Sequence, residues 1–165
     1  MITLTLIRHA TAHSKQICQQ DSNRMLNPLG EQQAKNIALQ LTQKNYLPDY
    51  ILCSPTKRTL QTATILCQTL ELSTQLIKTD NILYSGDVEE ILAHVCCLTN
   101  AKQLFLVGHN PNLSWLAHYL CNATKSICLP PAGVIGLEFK IKSWDELTKT
   151  SGKLLFFIEP SHELH

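Results

Sequence analysis

Apolar and polar positions follow two rhythms along this chain. Residues 2–7, ITLTLI, form a β-branched and aliphatic run bounded by polar residues, which predicts a strand. From Gly30, the residues Ala34, Ile37, Ala38 and Leu41 recur at i, i+3, i+4 and i+7, the spacing of a helix that buries one face. YILC at 50–53 predicts a short buried strand, and Ala63, Leu66, Cys67 and Leu70 give a second helical stripe. Val88, Ile91, Leu92 and Val95 give a third. QLFLV at 103–107 is strand-like, and Leu113, Leu116, Ala117 and Leu120 make a fourth helix. After LPPAG the rhythm changes: VIGLEFKI and KLLFFIE predict two strands joined by a polar loop around Trp144. Alternating strands and helices imply an α/β fold, a largely parallel central sheet covered by helices on both faces. The terminal pair is expected to add antiparallel strands at one side.

Composition narrows the function classes. A chain of 165 residues is expected to form one domain, 1–165, with a substantial core. Its 44% hydrophobic and 16% charged residues are those of a soluble globular protein. A net charge of +1 argues against a nucleic-acid partner, which calls for a basic surplus. No apolar stretch approaches the roughly 20 residues that span a bilayer, so no membrane partner is expected. Arg8 cuts short the first apolar run, and no basic segment precedes it, so no signal peptide is expected. The seven cysteines show no C-x-x-C pair, and several sit in apolar runs such as ILC and ATILC. They read as reduced core thiols, which points to the cytoplasm.

Candidate chemistry gathers where strands end. Arg8 and His9 follow the first strand directly. In LCSPTKR, Ser54 is expected to cap a helix with Pro55 at its first position, and in LVGHNPN the same roles fall to Asn110 and Pro111. In a parallel sheet all these junctions lie at the carboxyl edge, where ligands bind. Arg8, His9, Arg58 and His109 can therefore converge beside helix N-termini that favour an anion. Two forked guanidiniums and two imidazoles match a dianionic phosphoryl group.

The segments LIRHA, SPTKRTLQTA and LVGHNP together resemble the histidine phosphatase superfamily, most closely its small SixA-like phosphohistidine phosphatases. LNPLGEQQAKNIALQL and AGVIGLEF fall where those proteins have similar stretches. The resemblance implies a phosphoglycerate mutase-like three-layer sandwich. It implies His9 as nucleophile forming a phosphohistidine intermediate, with Arg8 and Arg58 clamping the phosphoryl oxygens and His109 donating to them. It implies no metal and no other cofactor, since these four residues supply the positive charge. Hydrolysis of phospho-His9 by water would complete the cycle.

Two positions depart from the family pattern. Ala10 stands where the family usually has Gly after the nucleophile, so ordinary backbone geometry is expected there. No general acid identifies itself in NILYSGDVEEIL, where Asp87, Glu89 and Glu90 are candidates by position. Asp87 followed three residues later by Glu90 is better read as a capping box, with acids on a helix's first turn. A missing acid favours a substrate whose leaving group is already protonated, such as phosphohistidine, and a small chain leaves the site open to another protein. A phosphohistidine-bearing protein is thus the expected partner, with a small phosphoester, or phosphate binding without turnover, as alternatives. Nothing points to the retained phosphorylated sugar of a mutase. His13 lies four residues after His9 without a helical stripe or H-E-x-x-H, so a metal site there is not expected. His94 and His118 read as exposed, His162 and His165 as a tail, and Trp115 and Trp144 as packing residues; Thr11 and Lys15 could line the pocket mouth.

Overall fold

The computed structural model describes residues 1–98 and 100–160; His162 and His165 lie outside the described residues. Among the described residues, six strands form one sheet: β1 (Ile2–Arg8), β2 (Tyr50–Cys53), β3 (Ile77–Thr79), β4 (Gln103–Gly108), β5 (Val134–Phe139) and β6 (Lys153–Ile158). Their order is β3-β2-β4-β1-β5-β6. β1 to β4 run parallel, and β5 and β6 add the antiparallel pair expected at one side. The helices are α1 (Pro28–Gln43), α2 (Lys57–Thr69), α3 (Ile82–Ser85), α4 (Val88–Cys96) and α5 (Asn112–Leu120).

Strand alternation sends side chains to two cores. Leu4, Leu6, Leu52, Leu104 and Leu106 pack with α4 and α5 on one face, joined by the buried Trp144. Ile7, Ile51, Cys53, Phe105 and Val107 pack with α1 and α2 on the other. Strands buried on both faces read as continuous apolar runs, as β4 does, whereas β1 carries Thr3 and Thr5 between its aliphatic residues. The result is a three-layer α/β sandwich. The four helical stripes become α1, α2, α4 and α5; β3 and α3 were not anticipated, being too short to show a period.

Two helix starts differ from expectation. α2 begins at Lys57 with Thr56 at the cap position, two residues beyond Ser54. Ser54 is held in the sheet instead, its amide donating to the Val107 carbonyl and its own carbonyl accepting from the Thr59 hydroxyl. α5 begins at Asn112 with Pro111 at the cap position, while the Asn110 carboxamide oxygen accepts from the Ser114 amide and hydroxyl. Trp115 is 68% exposed rather than packed, because its position in α5 faces away from the stripe. His94 is half-buried and pairs with Asp80 at 3.3 Å, whereas His118 is exposed as expected.

Gly30 is buried where α1 crosses the chain after His9, and a methyl group there would strike the backbone carbonyl of Thr11. Alanine in a helix gains up to about 1 kcal/mol over glycine. Overpacking against rigid backbone costs about 1–3 kcal/mol. Gly30→Ala is therefore expected to destabilise the fold by about 1–2 kcal/mol, read as a lower midpoint in urea unfolding, and an unchanged or higher midpoint would contradict this packing.

Candidate active site

The carboxyl ends of β1, β4 and β2 lie side by side, with Arg8 in register with Gly108 and Cys53 with Val107. Each strand delivers the next residue to one edge: His9 after β1, His109 after β4 and Ser54 after β2. The His9 amide donates to the Gly108 carbonyl at 3.1 Å. The two imidazole centroids are 5.3 Å apart. Arg58, the second residue of α2 and only 5% exposed, reaches both rings. Its Nε lies 3.3 Å from His9 Nε2, and its Nη2 lies 3.4 Å from His109 Nδ1.

These contacts fix the tautomers, because a carbonyl only accepts and a guanidinium only donates. His9 Nδ1 carries its hydrogen and donates to the Ala10 carbonyl at 2.8 Å. His9 Nε2 is then a bare lone pair facing Arg58. His109 has the opposite arrangement: Nδ1 accepts from Arg58, and Nε2 donates to the Ser54 hydroxyl at 2.8 Å. Ala10 lies outside the left-handed region and is fully buried, its amide donating to the Thr62 hydroxyl. The ordinary backbone expected at that position is what the chain adopts.

Burial is the main force on both rings. It lowers His9 to about 4, helped by the charges of Arg58, Arg8 and Arg24 and opposed by the bond to Ala10. Burial, then Arg58 and the neighbouring His9, lowers His109 to about 3. Both imidazoles are neutral near pH 7. Arg8 donates through Nη1 to the Leu129 carbonyl, which also accepts from the Asn110 side chain. Arg8 Nε is buried without a hydrogen-bond partner among the described residues. Such an orphan donor is costly unless an acceptor arrives, and a phosphoryl oxygen fits it.

The candidate acids do not join this cluster. Asp87 and Glu90 form the capping box of α4, each side chain accepting from the other's amide. Glu89 is exposed on the first turn of α4. The carboxylate beside Arg58 is Asp21, in a 3-10 turn (Asp21–Asn23) between β1 and α1. It accepts from Arg58 at 2.9 Å, from Arg24 at 3.1 Å and from the Tyr84 hydroxyl at 3.1 Å. Burial would raise its pKa, but these bonds and the Arg58 charge hold it at about 2. Asp21, Ser54 and Tyr84 were missed in the sequence. Asp21 and Tyr84 lie in segments without periodicity, and the capping pattern around Ser54 hid its contact with His109. Thr11 is bound by the Gln33 side chain, and Lys15 and His13 are exposed. Among the described residues, no group of three or more His, Cys, Asp or Glu side chains is placed to hold a metal.

Residues 4–82 match the family described as histidine phosphatase superfamily (branch 1). No curated protein matches the chain. Among solved structures, a candidate phosphohistidine phosphatase SixA from Nakamurella multipartitia is 28% identical, with a TM-score of 0.78 and 96% of each chain covered. A protein histidine phosphatase SixA complexed with tungstate is 20% identical, with a TM-score of 0.82, covering 96% of this chain and 97% of that one. A mycobacterial glucosyl-3-phosphoglycerate phosphatase is 13% identical, with a TM-score of 0.61, covering 93% and 97%. The chain thus resembles the histidine phosphatase superfamily in sequence across its first half. Its fold is the phosphoglycerate mutase-like sandwich of the SixA proteins over nearly its whole length.

The buried imidazoles make stability depend on pH with a definite sign. Between the ordinary value of 6.5 and about 4, an unfolded chain takes up a proton at His9 that the folded chain refuses; His109 extends the window to about 3. Stability from both groups is therefore full above pH 6.5 and lost as pH falls through that window. An NMR titration is expected to place the His9 midpoint well below 6.5 with its Nδ1 tautomer retained, and a midpoint at or above 6.5 would contradict the site's electrostatics.

Proposed function

We propose that this chain is a cytoplasmic phosphohistidine phosphatase, a hydrolase acting on a phosphohistidine-bearing signalling or phosphotransfer protein through a covalent phospho-His9 intermediate. One observation carries this reading: a bare His9 Nε2 faces Arg58 beside His109, in a cluster whose one carboxylate is locked as an anion. The match of residues 4–82 to the histidine phosphatase superfamily supports it. So does the 28% identity to the candidate SixA. The cysteines show no C-x-x-C spacing, and Cys53, Cys67 and Cys121 are buried among apolar residues, which supports a reducing compartment.

In the first step His9 Nε2 attacks phosphorus while the P–N bond of the substrate breaks. The leaving imidazole takes the bonding pair and departs neutral, because its other nitrogen already carries a proton. The Nδ1–H bond to the Ala10 carbonyl steadies the positive charge that develops on the His9 ring. Arg8 and Arg58 hold the transferring oxygens, and the arriving dianion favours uptake of a proton from solvent at His109 Nδ1, which then donates as well. Water then attacks phospho-His9, releasing phosphate and restoring the Nε2 lone pair. No step asks for a carboxylic acid, which a phosphoester's alkoxide leaving group needs.

A second reading, a small-molecule phosphomonoesterase, draws on Glu89. It lines a groove between α4 and α5 together with Pro111, two residues from His109. If Glu89 were an acid for esters, Glu89→Gln would lower ester hydrolysis by about a hundredfold and leave phosphohistidine hydrolysis unchanged. We expect Glu89→Gln to change neither rate by more than about twofold, as for ordinary surface substitutions.

The reaction class is tested by phosphate release from a phosphohistidine-bearing transfer domain. Wild type should exceed autohydrolysis, and His9→Ala should fall to that baseline while keeping native circular dichroism. Turnover by His9→Ala would remove the nucleophile. No turnover by wild type would leave esters, or phosphate binding alone, as the function.

A further inference from the structure

We propose that Asp21 is the positioning residue of the phosphoryl clamp, gripping the outer edge of the Arg58 guanidinium so that its inner edge is aimed between His9 and His109. This rests on the reading that the site accepts a phosphoryl group.

A guanidinium offers two parallel donor forks. In Arg58 the Nε and Nη2 fork faces the imidazoles, 3.3 Å from His9 Nε2 and 3.4 Å from His109 Nδ1. The Nη1 and Nη2 end fork is filled by one residue: Nη1 donates to the Asp21 carbonyl at 2.8 Å, and Nη2 to Asp21 Oδ2 at 2.9 Å. The outer bonds are short and charge-assisted, whereas the inner ones are long and end on neutral nitrogens. The inner fork is thus the one an incoming phosphoryl oxygen pair can capture without breaking the strong contacts. An arginine side chain loses substantial rotamer freedom when fixed, and Asp21 fixes it before the substrate arrives.

Asp21 is itself held from two further sides. Arg24 binds Oδ1 at 3.1 Å, and the Tyr84 hydroxyl from α3 binds Oδ2 at 3.1 Å. The Tyr84 ring also lies 5.6 Å from the His109 ring. The turn after β1 is thereby tied across the site to α2 and α3. The same residue sets the local charge: Arg8, Arg24 and Arg58 against Asp21 leave +2 with neutral imidazoles, the complement of a phosphoryl dianion.

Positioning and charge balance make opposite predictions for phosphate binding. Inorganic phosphate should be titrated into wild type, Asp21→Ala and Asp21→Asn, following the His9 ring protons by NMR. If Asp21 positions Arg58, Asp21→Ala weakens phosphate binding about tenfold and Asp21→Asn, which keeps an acceptor oxygen, by less. If Asp21 serves only to offset charge, both variants bind phosphate more tightly, which overturns the proposal. An Asp21→Ala affinity equal to wild type also overturns it. The loss should shrink to within about twofold when Arg58 is already alanine, and an equal loss in both backgrounds would show that Asp21 acts on the fold rather than through Arg58. If Asp21→Ala loses its native signal, Asp21→Asn in the two backgrounds decides by the same criteria. Phosphate binding needs no turnover, so the two readings fail separately. A wild type that binds phosphate but leaves phosphohistidine untouched removes the proposed reaction and keeps the positioning role. A wild type that binds no phosphate removes both.

Discussion

The parallel pairing of β1 with β4 is the constraint on which the site depends. Its register sets Arg8 beside Gly108, and the His9 amide continues the ladder to the Gly108 carbonyl. Two imidazoles separated by 100 positions are thereby fixed on adjacent strand ends, and β2 brings Ser54 to the same edge. A slip of one residue would turn His9 to the opposite face and swap the side chains of β1 between the two cores. The hydrophobic register that holds the fold therefore also holds the site.

Placing that edge under two packed layers has an electrostatic consequence. Buried imidazoles beside guanidiniums stay neutral, so His9 keeps its lone pair at physiological pH instead of losing it to a proton. The charge needed to hold a dianion comes from arginines, which remain protonated when buried. In the proposed reaction the neutral imidazole and the permanent cations are then independent, and His9 does not have to be activated by a separate base. The cost is paid by the fold in mild acid, where unfolding releases the rings to take up protons. Arg8 Nε, buried and without a hydrogen-bond partner among the described residues, is a further donor suited to an anion.

The sequence was most informative where burial or periodicity constrained residue choice. Four amphipathic stripes and the apolar runs at β1 and β4 gave the layers, and the strand-end motifs located His9, Arg58 and His109 at one edge. Asp87 and Glu90 also read correctly as a capping pair, since that chemistry is local in the chain. Contacts between irregular segments were not legible. Asp21 lies 37 residues from Arg58 and 63 from Tyr84, in a turn without period, and only the folded path unites them. Ser54 was misassigned for a related reason: a Ser-Pro pair before a helix is a good local capping signal, but a contact 55 residues away with His109 outweighs it. Trp115 was misplaced because an exposed aromatic at one helical position leaves no mark on the stripe beside it.

In the proposed reaction His9 carries the phosphoryl group in transit. Rapid quenching in alkali after mixing enzyme with a substrate labelled in its phosphoryl group tests this directly, followed by mapping of the labelled peptide. Transient label is expected, acid-labile and alkali-stable, on the peptide holding His9, bonded at Nε2. Turnover with stereochemical inversion at phosphorus and no label on His9 would mean that water attacks the substrate directly, and would contradict it.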